Sequence, residues 1–320
     1  MTPKLNVEVD RRGFLKCMQW AGAAVVWSFT GGIPSSRLLG AETDKTKAVD
    51  FTFVQISDSH IGFNKPANSD VNRTLQLAVD QINAAIHEPD LILHTGDLTH
   101  LARSAEFDTL DQILRGLRQK EVFYVPGEHD ITGDDGKLFL ERFGKSTAGK
   151  TWQSFDHKGV HFIGLNNCVQ LEGLGMIGAA QLEWLAKDVA HLSASTPIVV
   201  FAHIPLWSVY PEWGWGTTDS AQALAILKRF GSVTVLNGHI HQVMQKVEGN
   251  VTFHSAMSTA FPKPAPGSAS SATKARGGRQ VSASGPMTVP ADKLRHLLGV
   301  TSVNFIAGSH HLALVDTPLG

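Results

Sequence analysis

The sequence has little cysteine and little tyrosine, with two residues of each among 320. Two cysteines cannot build the disulfide framework of a small secreted scaffold, and we expect Cys168 to be a buried apolar side chain. Net charge is also nearly absent, because 28 basic side chains face 29 acidic ones. A protein that binds nucleic acid regardless of its sequence needs a basic surface. The composition therefore predicts no such partner.

Long apolar runs are also lacking, and the longest candidate lies near the amino terminus. Residues 18–33 are modestly apolar and diluted by Gly, Ser and Thr, whereas a membrane span needs about 18 or more apolar residues. Arg11 and Arg12 precede this run, and small residues around Ala41 follow it. The layout resembles a twin-arginine export signal, although Asp10 stands where that motif usually has Ser or Thr.

This resemblance implies a bacterial periplasmic or exported protein that uses the twin-arginine export machinery. We expect residues 1–41 to form a signal peptide that is cleaved near Ala41. The mature form is expected to have no stable membrane span. The route carries proteins that fold before translocation, often with a cofactor inserted.

From residue 51 onward, short β-rich runs alternate with helical patterns, which is typical of an α/β fold. Strands are predicted at residues 51–57, 90–95, 121–125, 160–165, 197–202 and 232–236, and a hairpin around Gly249 and Asn250. Residues 261–290 are rich in Pro, Ala, Ser and Gly and predict an extended or mobile segment. A short helix and a strand pair are expected after it.

Histidines and acids gather where predicted strands end. They are Asp58 and His60, Asp97, Glu128 with His129 and Asp130, His203, and His239 with His241. The carboxyl ends of strands form the crevice where open α/β sheets bind ligands. Residues two apart on an extended segment point the same way. The spacing alone therefore lets each of the two paired sets reach one common metal.

Seven of these residues are candidate metal ligands: Asp58, His60, Asp97, Glu128, His203, His239 and His241. Mixed oxygen and nitrogen donors suit Zn, Mn, Fe or a similar ion and argue against an all-thiolate site. Seven ligands exceed the needs of one tetrahedral ion. Two metal ions sharing a carboxylate is the simplest interpretation.

The ordered blocks D-x-H, G-D, G-x-H-D, H and G-H-x-H between residues 51 and 254 resemble the calcineurin-like metallophosphoesterase superfamily. The resemblance implies a four-layer αββα sandwich with a short C-terminal extension. It implies a catalytic domain over residues 50–258, then the Pro/Ala/Ser/Gly-rich segment 259–292 and a terminal helix and strands at 293–320 that pack on the catalytic domain.

The resemblance also implies a role for each residue. Asp58, His60 and His241 would bind one metal, His203 and His239 the other, and Asp97 would bridge them. His129 would contact the scissile phosphate or protonate the leaving group, and Asp130 would orient the imidazole of His129. A hydroxide generated by the two metals, drawn from Fe, Mn and Zn, would attack phosphorus in line.

Glu128 departs from the family pattern, which has Asn at this position. The additional carboxylate lowers the net charge of the site, and we expect it to disfavour dianionic monoesters relative to monoanionic diesters, or to select a trivalent first ion. The small-molecule substrate would then be a phosphodiester such as a cyclic nucleotide or a phospholipid head group.

Three alternatives stay open at this point. The chain is a phosphomonoesterase or nucleotidase, a binding protein on a degenerate phosphoesterase fold, or an iron protein with a redox role. A loop after His203 carries Trp207, Trp213 and Trp215. These indoles either wall a substrate pocket and stack on a base, or pin the loop by packing on one another.

Overall fold

A computed structural model describes residues 24–30, 33–39, 51–147, 149–169, 171, 173–268, 272–276, 279–305 and 312–320. Residues 1–48 and 49–320 form two separate units. In the first, two strands pair as an antiparallel hairpin. Arg11, Arg12 and Ala41 lie outside the described residues, so the export signal stays a prediction. None of the described helices combines the length and apolar character that crossing a membrane requires.

The strands are β1 (Ala24–Thr30), β2 (Ile33–Leu39), β3 (Phe51–Ile56), β4 (Leu91–His94), β5 (Val122–Tyr124), β6 (Gln153–His157), β7 (Val160–Leu165), β8 (Ile198–Ala202), β9 (Val233–Asn237), β10 (Met244–Glu248), β11 (Val251–Ser255), β12 (Ala272–Arg276), β13 (Arg279–Ala283), β14 (Gly299–Phe305) and β15 (Ala313–Pro318). The helices are α1 (Val71–Asn83), α2 (Ser104–Leu114), α3 (Lys137–Phe143), α4 (Ala179–Val189), α5 (Ser220–Leu227) and α6 (Ala291–Leu294).

Two sheets form the body of the second unit. One has the strand order β15-β14-β3-β4-β5 and the other the order β10-β11-β9-β8-β7-β6. The central strands β3, β4 and β5 are parallel to one another, and so are β7, β8, β9 and β11. Helices connect most of these parallel strands, as a parallel crossover requires.

Three apolar clusters define the layers. Phe53, Leu93, Phe162 and Phe201 belong to a cluster that joins the inner faces of the two sheets. The outer face of the first sheet packs on α1, α2 and α3, and the outer face of the second packs on α4 and α5. Alternate side chains of β3 enter different clusters because a strand has a period of two. The predicted four-layer αββα sandwich is confirmed.

The first helix shows how the sequence builds a layer. Val71, Leu75, Ala78 and Ile82 recur at helical spacing on α1 and are buried against the sheet. The carboxylate of Asp70 accepts the backbone N–H of Arg73 at 3.0 Å and caps the helix.

The chain after β11 is anchored in the core at its start and carries paired strands further on. Phe261 is 2% exposed and belongs to the cluster under the first sheet. Further along, β12 and β13 pair as an antiparallel hairpin. Finally, β14 pairs antiparallel with β3 and fastens the carboxyl-terminal strands to the first sheet.

Candidate metal centre

The seven candidate ligands meet at one end of the sandwich. Asp58 and His60 follow β3, Asp97 follows β4, Glu128 follows β5, His203 follows β8, and His239 and His241 follow β9. All seven are buried, with at most 8% of their surface exposed. Because the parallel strands of both sheets end at this side, their loops share one crevice.

The first group consists of Asp58, His60 and His241. The Nε2 atom of His241 lies 3.0 Å from Oδ1 of Asp58 and 3.3 Å from Nε2 of His60. The Nδ1 atom of His241 donates to the carbonyl oxygen of Phe261 at 2.5 Å. This hydrogen bond leaves Nε2 as the donor atom for a metal.

The second group consists of Glu128, His203 and His239. The two carboxylate oxygens of Glu128 lie 2.9 Å from Nε2 of His203 and 3.0 Å from Nδ1 of His239. The Nδ1 atom of His203 donates to the carbonyl oxygen of Thr95 at 2.7 Å, which again leaves Nε2 for a metal. Glu128 therefore stands where a ligand of the second metal is expected.

Asp97 lies between the two groups. Its Oδ2 atom is 3.3 Å from Nε2 of His60 and 3.4 Å from Nε2 of His203. Its Oδ1 atom accepts the backbone N–H of His129 at 3.0 Å. Among the described residues, Asp97 Oδ2 is one of the buried atoms without a hydrogen-bond partner. Buried polar atoms are seldom left unpaired, and a pair of metal ions beside Asp97 would satisfy this oxygen. The donor set therefore fits two ions.

Backbone strain marks the same residues. Asp58, His60, Asp97, His239 and His241 all have a positive φ, between 41° and 68°. A non-glycine residue in this region costs of order 1–3 kcal/mol and persists only where the surroundings impose it. Five strained ligands in one crevice indicate that the fold holds these loops for binding rather than for stability.

Two glycines allow the ligand loops to approach one another. A Cβ atom at Gly238 would lie 1.9 Å from Oγ of Ser57 and 2.4 Å from Oδ2 of Asp58. A Cβ atom at Gly127 would lie 2.0 Å from Oδ1 of Asp97. A side chain at either position would force two ligand loops apart, so the glycines are needed for close approach.

Comparison with known families agrees with this geometry. Residues 51–243 match the profile of the calcineurin-like phosphoesterases. The chain belongs to this family. The family implies a dinuclear metal centre, and the structure offers one group of ligands for each ion with Asp97 between them.

Two bacterial relatives match this chain by sequence. A 3′,5′-cyclic-nucleotide phosphodiesterase of Nostoc sp. is 30% identical over 177 residues, which cover 54% of this chain and 64% of that protein. A cAMP/cGMP dual specificity phosphodiesterase of Mycobacterium tuberculosis is 27% identical over 199 residues, covering 60% of this chain and 62% of that protein. The matched region spans less than two thirds of each relative.

A solved structure shares the fold at low sequence identity. A dimetal phosphatase from Danio rerio superposes with a TM-score of 0.63 and 13% identity, covering 85% of this chain and 98% of that one. The likeness supports the four-layer fold of this calcineurin-like phosphoesterase.

The electrostatics of the phosphoesterase site favour charged carboxylates. Burial would raise the pKa of Asp58, but the charge and hydrogen bond of His241 hold it well below its usual value. Burial would also raise the pKa of Glu128, but the charges of His239 and His203 and their hydrogen bonds hold it well below its usual value. For His203, burial lowers the pKa, but the carboxylates of Asp97 and Glu128 raise it well above its usual value. Metal binding would therefore displace a proton from His203.

His129 lies at the edge of the site, and its orienting partner differs from the prediction. Its Nδ1 atom donates to the carbonyl oxygen of His100 at 2.7 Å. The Asp130 carboxylate instead accepts the backbone N–H groups of Gly127, Leu98 and Thr99 at 2.8–3.0 Å. The prediction that Asp130 orients the imidazole of His129 is therefore wrong. Asp130 fixes the loop that carries Asp97, and burial together with the charge of Asp97 raises the pKa of Asp130 to about 7.

The tryptophan loop takes the second of its two predicted arrangements. Trp213 and Trp215 are 4% and 0% exposed and pack on Ile240, which lies between His239 and His241 in the loop after β9. Trp207 is partly buried against Phe253, with ring centroids 5.1 Å apart. The prediction that these indoles stack on substrate is wrong for Trp213 and Trp215, because neither offers a free face. They support the loop that carries His239 and His241.

The sequence did not single out two residues that border the site. The ring of Phe261 packs on the rings of His60 and His241, with centroids 4.8 Å and 4.7 Å apart. The Lys263 ammonium donates to the carbonyl oxygen of His239 at 2.6 Å. The one available signal was that Lys263 is the single charged residue between residues 249 and 273.

Proposed function

We propose that this phosphoesterase hydrolyses small phosphodiesters with two metal ions. The observation that carries the proposal is the position of Asp97, whose Oδ2 atom lies within 3.4 Å of a histidine from each ligand group. A carboxylate so placed is suited to bridge two ions, and a bridged pair is an arrangement used for in-line displacement at phosphorus.

Asp58, His60 and His241 would hold one ion, and Glu128, His203 and His239 the other. Their oxygen and nitrogen donors suit Fe, Mn or Zn. Two bound ions supply Lewis acidity that neutralises phosphoryl charge and makes a water-derived nucleophile available at neutral pH. The protein contributes the spacing of the two groups and the buried walls that exclude bulk water.

His129 would protonate the leaving oxygen. Its imidazole is only partly buried, unlike the seven ligands. The Nδ1–H group of His129 donates to the His100 carbonyl. Nε2 is therefore the nitrogen left to give a proton to the leaving oxygen. The backbone N–H of His129 donates to Asp97, which fixes the acid relative to the ligand between the two groups.

Glu128 supports a preference for diesters over monoesters. It adds a third buried carboxylate to those of Asp58 and Asp97, which weakens the attraction for a dianionic monoester more than for a monoanionic diester. The names of the Nostoc and Mycobacterium tuberculosis relatives point to 3′,5′-cyclic nucleotides as the first natural diesters to examine. We place the enzyme in the bacterial periplasm on the strength of the sequence around Arg11 and Arg12.

The test is turnover of bis(4-nitrophenyl) phosphate and of 4-nitrophenyl phosphate by protein reconstituted with Mn, Zn or Fe, with a chelated control. We expect chelator-sensitive hydrolysis with the diester preferred. In Glu128→Asn we expect the ratio of diester to monoester turnover to fall, with two ions still bound by elemental analysis. Absence of turnover on both esters and on cyclic nucleotides, with both ions present, contradicts the proposal.

A further inference from the structure

A lysine from the Pro/Ala/Ser/Gly-rich segment reaches the metal centre. The ammonium of Lys263 donates to the carbonyl oxygen of His239 at 2.6 Å, and His239 belongs to the second ligand group. An ammonium has three N–H donors. Within the described part of the chain, the His239 carbonyl is the one acceptor assigned to it. Two donors are left for another partner.

The backbone on both sides of Lys263 is held in place. Pro262 and Pro264 flank it and restrict its backbone, since proline fixes its own φ and limits the residue before it. The side-chain amide of Gln242 donates to the carbonyl oxygens of Lys263 and Pro264 at 2.9 Å and 2.7 Å. The carbonyl of Phe261 accepts from His241. This strap, residues 261–264, is therefore built into the site.

The charge of Lys263 acts on the centre itself. Burial lowers the pKa of His241, the Asp58 carboxylate raises it, and Lys263 lowers it. The same ammonium contributes to the lowered pKa of His60, after burial and three neighbouring histidines. Both histidines belong to the first ligand group, whereas the hydrogen bond of Lys263 is to the second. The ammonium is therefore bonded beside the second group, and its positive charge disfavours protonation of the two histidines of the first.

Lys263 offsets the charge of Glu128. Two divalent ions would bring four positive charges to the site. The carboxylates of Asp58, Asp97 and Glu128 would reduce the net charge to +1, whereas with Asn at position 128 it would be +2. The ammonium of Lys263 returns one positive charge at the His239 carbonyl, while the Glu128 carboxylate still faces the second ligand group and continues to disfavour a dianion. Unlike a metal ligand, the ammonium keeps N–H donors for one oxygen of an anion.

We propose that Lys263 binds the anionic phosphoryl oxygen of the substrate and compensates for the carboxylate of Glu128. This inference rests on the proposed function, because it assigns a further residue to the recognition of the phosphodiester anion.

The experiment compares wild type with Lys263→Met and Lys263→Gln. Methionine removes the charge, whereas glutamine removes the charge and keeps an N–H donor for the His239 carbonyl. Lys246→Met is the matched control, since Lys246 is exposed and paired with Glu248. Calorimetry on the metal-loaded proteins gives the Kd of dimethyl phosphate and of inorganic phosphate. We expect both Lys263 variants to bind these anions about tenfold more weakly, which corresponds to about 1.4 kcal/mol, and the control to match wild type.

Two further measurements distinguish anion binding by Lys263 from a structural role in holding the His239 loop. A neutral 4-nitrophenyl phosphotriester should lose less than about twofold in kcat/KM in the variants, while the anionic diester loses about tenfold. In Glu128→Asn combined with Lys263→Met, the Kd for dimethyl phosphate should return toward the wild-type value, because the net charge is the same as in wild type.

Unchanged anion affinity in Lys263→Gln overturns the inference. So does an equal loss on the neutral triester, which would assign Lys263 a purely structural role in holding the His239 loop. If wild type hydrolyses no phosphate ester, the proposed function fails, whereas the calorimetric comparison still decides whether Lys263 binds a phosphate anion.

Discussion

The backbone N–H of His239 lies 3.1 Å from both carboxylate oxygens of Asp58. Asp58 follows a strand of the first sheet and His239 a strand of the second. This contact joins the two sheets at the site. The ligand groups also draw on both sheets, because His241 completes the group of Asp58 and His60, and Glu128 that of His203 and His239. Metal binding is thus coupled to the packing of the sandwich.

Removal of the metals should destabilise the fold. Asp58, Asp97 and Glu128 are buried carboxylates, and a ligand present at 100 to 1,000 times its Kd contributes about 3–4 kcal/mol. For a chain of this size we expect the Tm to fall by roughly 5–15 °C on chelation. Scanning calorimetry with and without chelator measures the difference. Asp97→Asn with His203→Gln is the control, and it should show little chelator effect. An unchanged Tm after verified metal loss contradicts the coupling.

The ligand positions show what the sequence could and could not predict. Strand ends were the informative feature, because parallel strands of a sheet end on the same side. Spacing alone let His239 and His241 share one metal. The structure instead places His239 with Glu128 and His203, and His241 with Asp58. Both residues have positive φ, so the alternation of an extended segment does not apply to them.

Tertiary contacts explain the remaining errors. The orientation of His129 depends on the carbonyl of His100, and a backbone carbonyl has no residue-type signal. Trp213 and Trp215 have the composition of a binding loop, but only packing on Ile240 decides whether their faces are free. Lys263 reaches His239 across 24 residues of sequence. The strand β6 was not predicted, because it is a sheet edge paired with β7 alone and most of its residues are polar.

Loss of the His129 imidazole should slow the reaction according to the leaving group. A general acid matters for a poor leaving group such as a ribose alkoxide and little for 4-nitrophenolate, which departs without a proton. We expect His129→Gln to lower kcat about 10²–10⁴-fold for a cyclic nucleotide or an alkyl diester. For bis(4-nitrophenyl) phosphate we expect a much smaller loss. Steady-state kinetics on both substrates, with metal content verified, measures this difference. An equal loss on both substrates contradicts the role of acid.

His161 should make stability depend on pH at a place outside the metal centre. Its Nδ1 lies 2.8 Å from Asp156 and its Nε2 2.9 Å from Asp188, and only the charged ring donates from both nitrogens. Burial lowers its pKa, but the two carboxylates raise it above its ordinary value of 6.5. The stabilisation is therefore fully present below the unfolded pKa and is lost as pH rises through the higher folded pKa.

Urea unfolding of wild type and His161→Gln measures this contribution. We expect His161→Gln to lower the free energy of unfolding by about 1–2 kcal/mol more at pH 5.5 than at pH 9, because only the charged ring donates both hydrogen bonds. Asp188→Asn is the companion variant and should reduce the pH dependence. A cost that is the same at both pH values would show that the ring acts through packing alone.

We expect export to depend on the paired arginines of the amino terminus. Arg11 and Arg12 precede an apolar run that is too short for a convincing membrane span, and the resemblance to a twin-arginine signal predicts that the two guanidinium groups are read by the export machinery. Lysine keeps the charge but not the planar fork of arginine. We therefore expect Arg11→Lys with Arg12→Lys to leave the protein in the cytoplasm.

Cell fractionation and immunoblotting of the bacterial host measure the distribution, with Lys4→Arg as the matched control for a conservative basic exchange. If the double variant reaches the periplasm as wild type does, another feature of the amino terminus directs export and the twin-arginine interpretation fails.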